Sequence, residues 1–212
     1  MIIKICGMRE STNIKEIAQL KPDWMGFIFY PKSKRYVGDR YDTDPILSLM
    51  PEIRTTGVFV NEDIDLLLST ATKYHLDLIQ LHGNESPSYC QRVTDKGLKV
   101  IKALGIYQNF KWNALEPYLP VCDYFLFDTS TKEYGGSGQK FDWNILTGYR
   151  YNKPFLLSGG IKPEDAGMIC SLSHPQFAGI DINSGFETEP GIKDPEKVKY
   201  FINEIRTSKK NK

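Results

Sequence analysis

What this chain lacks narrows it quickly. No apolar run approaches the roughly 20 residues that a membrane-spanning helix needs, and the opening Met1-Ile2-Ile3-Lys4-Ile5-Cys6 is too short for a signal peptide. Charge of one sign is missing too. Twenty-seven Lys and Arg stand against 26 Asp and Glu, a formal net charge of +1, so there is no broad field for nucleic acid or an anionic membrane. Basic chemistry, if any, is local. The four cysteines (Cys6, Cys90, Cys122 and Cys170) are far apart and form no C-x-x-C pair. That argues against a disulfide framework or a zinc site and fits a reduced, cytoplasmic setting. With three histidines, a metal centre would have to draw on scattered residues, so neither metal nor cofactor is expected. Linkers, low-complexity segments and internal repeats are absent as well.

What is there is one core's worth of apolar sequence: 212 residues, 41% hydrophobic, enough for one domain and short for two. The domain is read as residues 1–207, with 208–212 a frayed tail. Short β-branched or aromatic runs alternate with polar, helix-like stretches. The strands are read at Ile2–Cys6, Trp24–Phe29, Arg54–Val60, Asp77–Leu81, Leu98–Leu104, Tyr124–Asp128, Pro154–Ser158 and Phe177–Asp181. The helices are read near Thr12–Leu20, Thr43–Leu49, Ile64–Tyr74, Ser86–Lys96, Phe110–Tyr118, Trp143–Gly148, Pro163–Cys170 and Pro195–Ile205. Asn61 and Asn84 stand where N-caps are expected, and Pro163 and Pro195 where a first helical turn tolerates a missing N–H.

Alternation of this kind implies a parallel sheet, either closed into a barrel or left open and doubly wound. Two features favour closure. No G-x-G-x-x-G follows the first strand, and unusual polar residues fall just after many different strands, as on the one functional face of a barrel. The expected fold is a single (β/α)8 barrel, the TIM barrel, with a closed eight-stranded parallel sheet.

The strand ends carry the chemistry. Strand one delivers Lys4-Ile5-Cys6-Gly7, with Lys4 and Cys6 on one face. Cys6 is either a small core residue or, if nearby positive charge lowers its pKa, a base. Lys4, buried beneath it, needs a partner, and Asp181 in the adjacent eighth strand is the candidate for a structural ion pair. After strand two, Lys32-Ser33-Lys34-Arg35 is a solvated basic loop or an anion clamp, and the cluster alone does not choose among its cations. Gln80 and His82 share a face at the end of strand four, where His82 is either a structural residue or part of the substrate wall. Asp128 ends strand six as a turn cap or as a general acid. The loop from Thr129 to Gln139, with its glycines at 135, 136 and 138, is a linker or a lid. Strands seven and eight end in small-residue turns, Ser158-Gly159-Gly160 and Asn183-Ser184-Gly185. Barrels commonly hold phosphate at that pair of turns, so the expected partner is a small phosphorylated substrate.

These pieces, in this order, resemble the phosphoribosylanthranilate isomerase family. The likeness runs through Lys4-Ile5-Cys6-Gly7, Phe27 to Ser33 with Arg35-Tyr36, Val58 to Asn61, Gln80 to Gly83 and Phe127-Asp128-Thr129. It continues through Gly135 to Gly138, Phe141-Asp142-Trp143, Ser158 to Gly160 and Gly191 to Asp194. The resemblance implies an Amadori rearrangement of N-(5-phosphoribosyl)anthranilate in tryptophan biosynthesis, without metal or cofactor. It implies Asp128 as general acid, Cys6 as general base, Arg35 as the grip on the substrate carboxylate, and Gly159, Gly160, Ser184 and Gly185 as the phosphate cradle. Two segments depart from the family's usual pattern. Asn183-Ser184-Gly185-Phe186 stands where Ser-Ser-Gly-Val is commoner, and Ser137 where threonine is common.

Three rivals are weaker. The related histidine-pathway sugar isomerase has aspartates after strands one and five, where this chain has Cys6 and Leu104. A metal-dependent pentose-phosphate epimerase needs paired histidines and carboxylates at strand ends. A barrel reduced to a binding or scaffold subunit would be expected to have lost Cys6 or Asp128, and both are present. Nothing demands a dimer, and a monomer is the expectation.

Overall fold

In the computed structural model, residues 1–38, 52–129 and 142–210 are described. The helix read at 43–49, the loop motif at 135–138 and the last two residues of the tail lie outside them. Eight parallel strands close a barrel: β1 Ile2–Ile5, β2 Trp24–Ile28, β3 Arg54–Phe59, β4 Leu78–Leu81, β5 Lys99–Ile106, β6 Tyr124–Thr129, β7 Phe155–Leu157 and β8 Phe177–Ile182. The closing seam pairs β1 with β8, Lys4 opposite Asp181. A two-stranded antiparallel hairpin, β9 Glu187–Glu189 and β10 Ile192–Lys193, follows β8 and was not anticipated. None of the helices is long and apolar enough to cross a membrane, among the described residues.

The period of two along each strand divides the core. Outward-facing Ile3, Ile5, Met25, Phe27, Ile79, Leu81, Phe125, Phe127 and Ile180 pack under the helices in one large cluster. Inward-facing Trp24, Leu78, Ile101, Ala103, Leu126 and Leu156 form a second cluster that fills the barrel. Trp24 and Tyr124 meet edge to face there, ring centroids 5.2 Å apart. Above this apolar floor the inward positions turn polar: Lys4 and Asp181, then Gln80, His82, Asp128 and Asn183 toward the strands' C-terminal ends. The fold thus separates a packed plug from a reactive mouth.

Several local readings are corrected. The helix at Ile64–Lys73 is capped by Asp63, whose side chain accepts from the Asp65 and Leu66 N–H groups, not by Asn61. Asn61 has φ 50°, and its Oδ1 accepts from the Asn84 N–H instead. The helix at Pro87–Thr94 is capped by Ser86, not Asn84. Asparagine's ease in left-handed backbone put Asn61 in the turn preceding the cap. The stretches Trp112–Tyr118 and Trp143–Gly148 are 3-10 helices; the first holds Pro117 and has no side-chain cap. Pro163–Asp165 is a 3-10 turn that leads into a short α-helix, Ala166–Ser171. The last helix, Pro195–Lys210, runs into the segment read as frayed.

Candidate active site

One cavity of about 690 Å³, open mouth included, occupies the C-terminal end of the barrel. Its lining brings together Cys6 from the end of β1, His82 from β4, Asp128 from β6, Gly159 and Gly160 after β7, and Asn183 and Ser184 after β8. Arg35 and Gly185 do not line it. Gly185 instead packs on the β7 turn, where an added Cβ would stand 2.3 Å from the Ile161 carbonyl oxygen.

Cys6 sits amid cations. Lys4, wholly buried, extends beneath it and donates to Asp181 Oδ1 at 2.9 Å, the ion pair expected from the sequence. Burial works against the Lys4 ammonium, but Asp181 and the neighbouring thiol outweigh it and hold its pKa above the usual lysine value. Gly26 makes the room: a Cβ there would lie 2.9 Å from Cys6 Sγ and 3.1 Å from Lys4 Nζ. Positive charge pulls the Cys6 pKa down, the condition attached to its reading as a base, but it is not the largest influence. Burial pushes the thiol up, and the pull of Lys4 and Lys193 does not fully offset it.

Beside Cys6, the β9–β10 hairpin brings Glu187 and Lys193 to the rim. Arg35 donates to Glu187 through Nε at 2.8 Å and Nη2 at 2.6 Å. Lys193 Nζ donates to Glu187 Oε1 at 2.6 Å and Asn183 Oδ1 at 2.9 Å. Burial disfavours the Glu187 carboxylate, yet the bonds from Arg35 and Lys193 hold its pKa below the ordinary carboxylate value. Burial lowers the Lys193 pKa more than Glu187 restores it. Glu187 and Lys193 were not singled out from the sequence. The Pro190-Gly191 turn between two short stretches was the available signal for their hairpin.

Across the mouth, Asp128 Oδ1 accepts from the Thr129 N–H at 2.7 Å, and Oδ2 lies 3.5 Å from His82 Nε2. His82 Nδ1 is 2.8 Å from Gln80 Nε2. Gly159 has φ 88°, and a Cβ there would come within 2.6 Å of Asp128 Oδ1, so only glycine fits this turn against the acid. The loop carrying His82 is pinned from behind by buried Lys102, which donates to Gly83 O at 2.7 Å and Glu85 Oε2 at 2.8 Å. Glu85 in turn accepts from the Asn61 and Gly83 N–H groups.

A closed barrel whose mouth gathers a thiol, a carboxyl group and glycine turns from different strand ends has the architecture of a (β/α)8 enzyme. Known proteins narrow this class. A profile of N-(5'phosphoribosyl)anthranilate (PRA) isomerase matches residues 3–204. The N-(5'-phosphoribosyl)anthranilate isomerase of Parabacteroides distasonis is 51% identical over 207 residues, covering 97% of this chain and 93% of the relative. The crystal structure of the Thermotoga maritima phosphoribosyl anthranilate isomerase superposes with TM-score 0.87 at 34% identity, over 98% of this chain and 100% of that one. A further structure of such an isomerase, with TM-score 0.84 and 31% identity, covers 98% and 100% and was solved in complex with reduced 1-(o-carboxyphenylamino)-1-deoxyribulose 5-phosphate. The chain belongs to the phosphoribosylanthranilate isomerase family, isomerases of tryptophan biosynthesis.

Proposed function

We propose that the chain converts N-(5-phosphoribosyl)anthranilate to 1-(2-carboxyphenylamino)-1-deoxyribulose 5-phosphate, with Asp128 as general acid and Cys6 as general base. The observation that carries the reading is that Cys6 and Asp128, distant in sequence and on different strands, line one cavity with the paired turns. Asp128 gives its proton to the ribose ring oxygen, the C1–O bond breaks, and the amine lone pair forms the C1=N Schiff base. Cys6, as thiolate, removes the C2 proton. The electrons of that C–H bond form the enolamine, which takes a proton at C1, gives up its C2 hydroxyl proton and becomes the ketone. No atom is gained or lost overall. Lys4 beneath the thiol and Lys193 beside it favour the thiolate that burial disfavours.

The Gly159–Gly160 turn and Ser184–Gly185 form the phosphate cradle, with Gly185 allowing the two turns to meet. Asn183 enters the cavity and is braced by Lys193. Arg35 grips the substrate carboxylate through Nη1, because Glu187 already engages Nε and Nη2. His82 forms part of the wall. The ligand in the related isomerase structure, a reduced form of the product, supports this class of substrate.

The test is turnover of freshly made phosphoribosylanthranilate, followed by loss of substrate fluorescence, with EDTA present. The parent is expected to turn over, and Cys6→Ala and Asp128→Asn to lose about 100-fold or more in kcat. Activity surviving in one variant removes that residue from its role, and a folded but inactive parent overturns the reading.

A further inference from the structure

Gln80, His82 and Asp128 form a line across the mouth. Gln80 and His82 stand two residues apart at the end of β4, so both face inward. Between them and β6 lies β5, whose inward positions here are Ala103 and Gly105, the latter in register with Asp128. With no side chain at Gly105, the imidazole reaches across to the carboxyl group: Nε2 to Oδ2, 3.5 Å.

A neutral imidazole has one N–H and one lone pair, and its partners decide which nitrogen carries which. Gln80 Nε2, 2.8 Å away, donates to the Nδ1 lone pair and so leaves the proton on Nε2, facing Asp128. The opposite amide orientation would bury an unpaired NH2 group and aim the Nε2 lone pair at a carboxylate. The orientation observed leaves the Gln80 carbonyl oxygen, Oε1, as the unpaired end of this amide. An under-satisfied carbonyl oxygen is the lesser cost.

We propose that Gln80 is a positioning residue for the acid step: by fixing the His82 tautomer it keeps an N–H aimed at the Asp128 oxygen on which charge grows as the proton leaves. The inference rests on Asp128 being the general acid. The other oxygen, Oδ1, is already held by the Thr129 N–H, so Oδ2 is the one left for His82 to serve. A donor aimed at charge that develops only in the transition state raises kcat rather than tightening substrate binding. The buried amide, though it lines the cavity, is held against the imidazole and acts on the acid step through it.

The test uses protein labelled with 15N-histidine. The chain has three histidines, and His82→Asn identifies the resonances of interest. In the parent, His82 is expected as the neutral Nε2–H tautomer. Gln80→Met keeps the volume but removes the donor; it should give a mixture of tautomers and a kcat about ten-fold lower, with KM within about two-fold. Gln80→Glu puts an acceptor against Nδ1 and should draw a proton onto that nitrogen, with at least as large a loss in kcat. An unchanged His82 tautomer or an unchanged kcat in Gln80→Met, in an active parent, overturns the positioning role and leaves the acid assignment standing. A folded parent without turnover overturns the proposed function, while the 15N signals still decide whether Gln80 sets the tautomer.

Discussion

Asp181 Oδ1 accepts a 2.9 Å hydrogen bond from Lys4 Nζ across the seam where the last barrel strand meets the first. Both side chains are nearly or wholly buried. Taking two charges out of water is costly, and removing one partner leaves the other uncompensated. Asp181→Leu should therefore lose about 3–5 kcal/mol in urea unfolding. Lys4→Met combined with Asp181→Leu should recover most of that loss. A double variant no more stable than the single one would show that the ion pair does not set the cost.

Gly26 is held to its size by Cys6 and Lys4. In Gly26→Ala the new Cβ must push on Cys6 Cα, 3.1 Å away, as well as on the thiol. The backbone atom cannot swing aside as a flexible side chain would. The expected result is destabilisation of about 1–3 kcal/mol by overpacking. Turnover should fall further than stability, because the thiol itself is displaced. Thermal unfolding and kcat measured together check this; loss of stability with full activity would contradict it.

Glu187 ties acid stability to the rim. Its folded pKa is depressed, so its contribution is fully present above the ordinary carboxylate value of 4.5 and is lost as pH falls below that toward the folded pKa. Glu187→Gln should flatten the acid limb of stability against pH. It should also raise KM, since Arg35 loses the carboxylate that holds its Nε and Nη2. Unfolding midpoints from pH 7 down to 3 make the comparison. Parallel curves for parent and variant would refute it.

The buried Cys6 thiol should ionise late. Its pKa is raised above the ordinary thiol value of 9.0, so alkylation by iodoacetamide should keep accelerating with pH above about 9, where exposed thiols level off. Phosphate or product analogue should protect it. Peptide mapping assigns the modified cysteine, and a plateau near neutral pH would mean that the cations win over burial.

Much of this was legible in the sequence where one residue type at one position left few options. Lys4 and Cys6 fell on the same face by strand period alone, and a buried ammonium in an otherwise apolar strand pointed to the single acidic residue of the neighbouring one. The eight strands were placed within a residue or two because β-branched and aromatic runs mark them. The caps were misplaced because Asn61 and Asn84 satisfy local turn geometry a few residues early. Two 3-10 segments were legible only as helical, because length and apolar spacing do not report hydrogen-bond pitch. The Glu187–Lys193 pair escaped for a different reason: both look like surface charges until the hairpin folds them against Arg35. Arg35 itself was found as a cation, but its engagement by Glu187 depends on a partner 152 residues away.

The barrel seam joins residue 4 to residue 181, and the thiol at position 6 has its setting completed by Asn183, Glu187 and Lys193. A ribosome makes the proposed base first and its surroundings last. For most of synthesis the growing chain holds a cysteine with no closed sheet around it and a lysine with no counter-ion. The cavity cannot close until the eighth strand has left the exit tunnel. Such end-to-end contacts slow closure, and they also make the site a late product of folding, so that truncated or stalled chains carry the reactive residue without the means to use it.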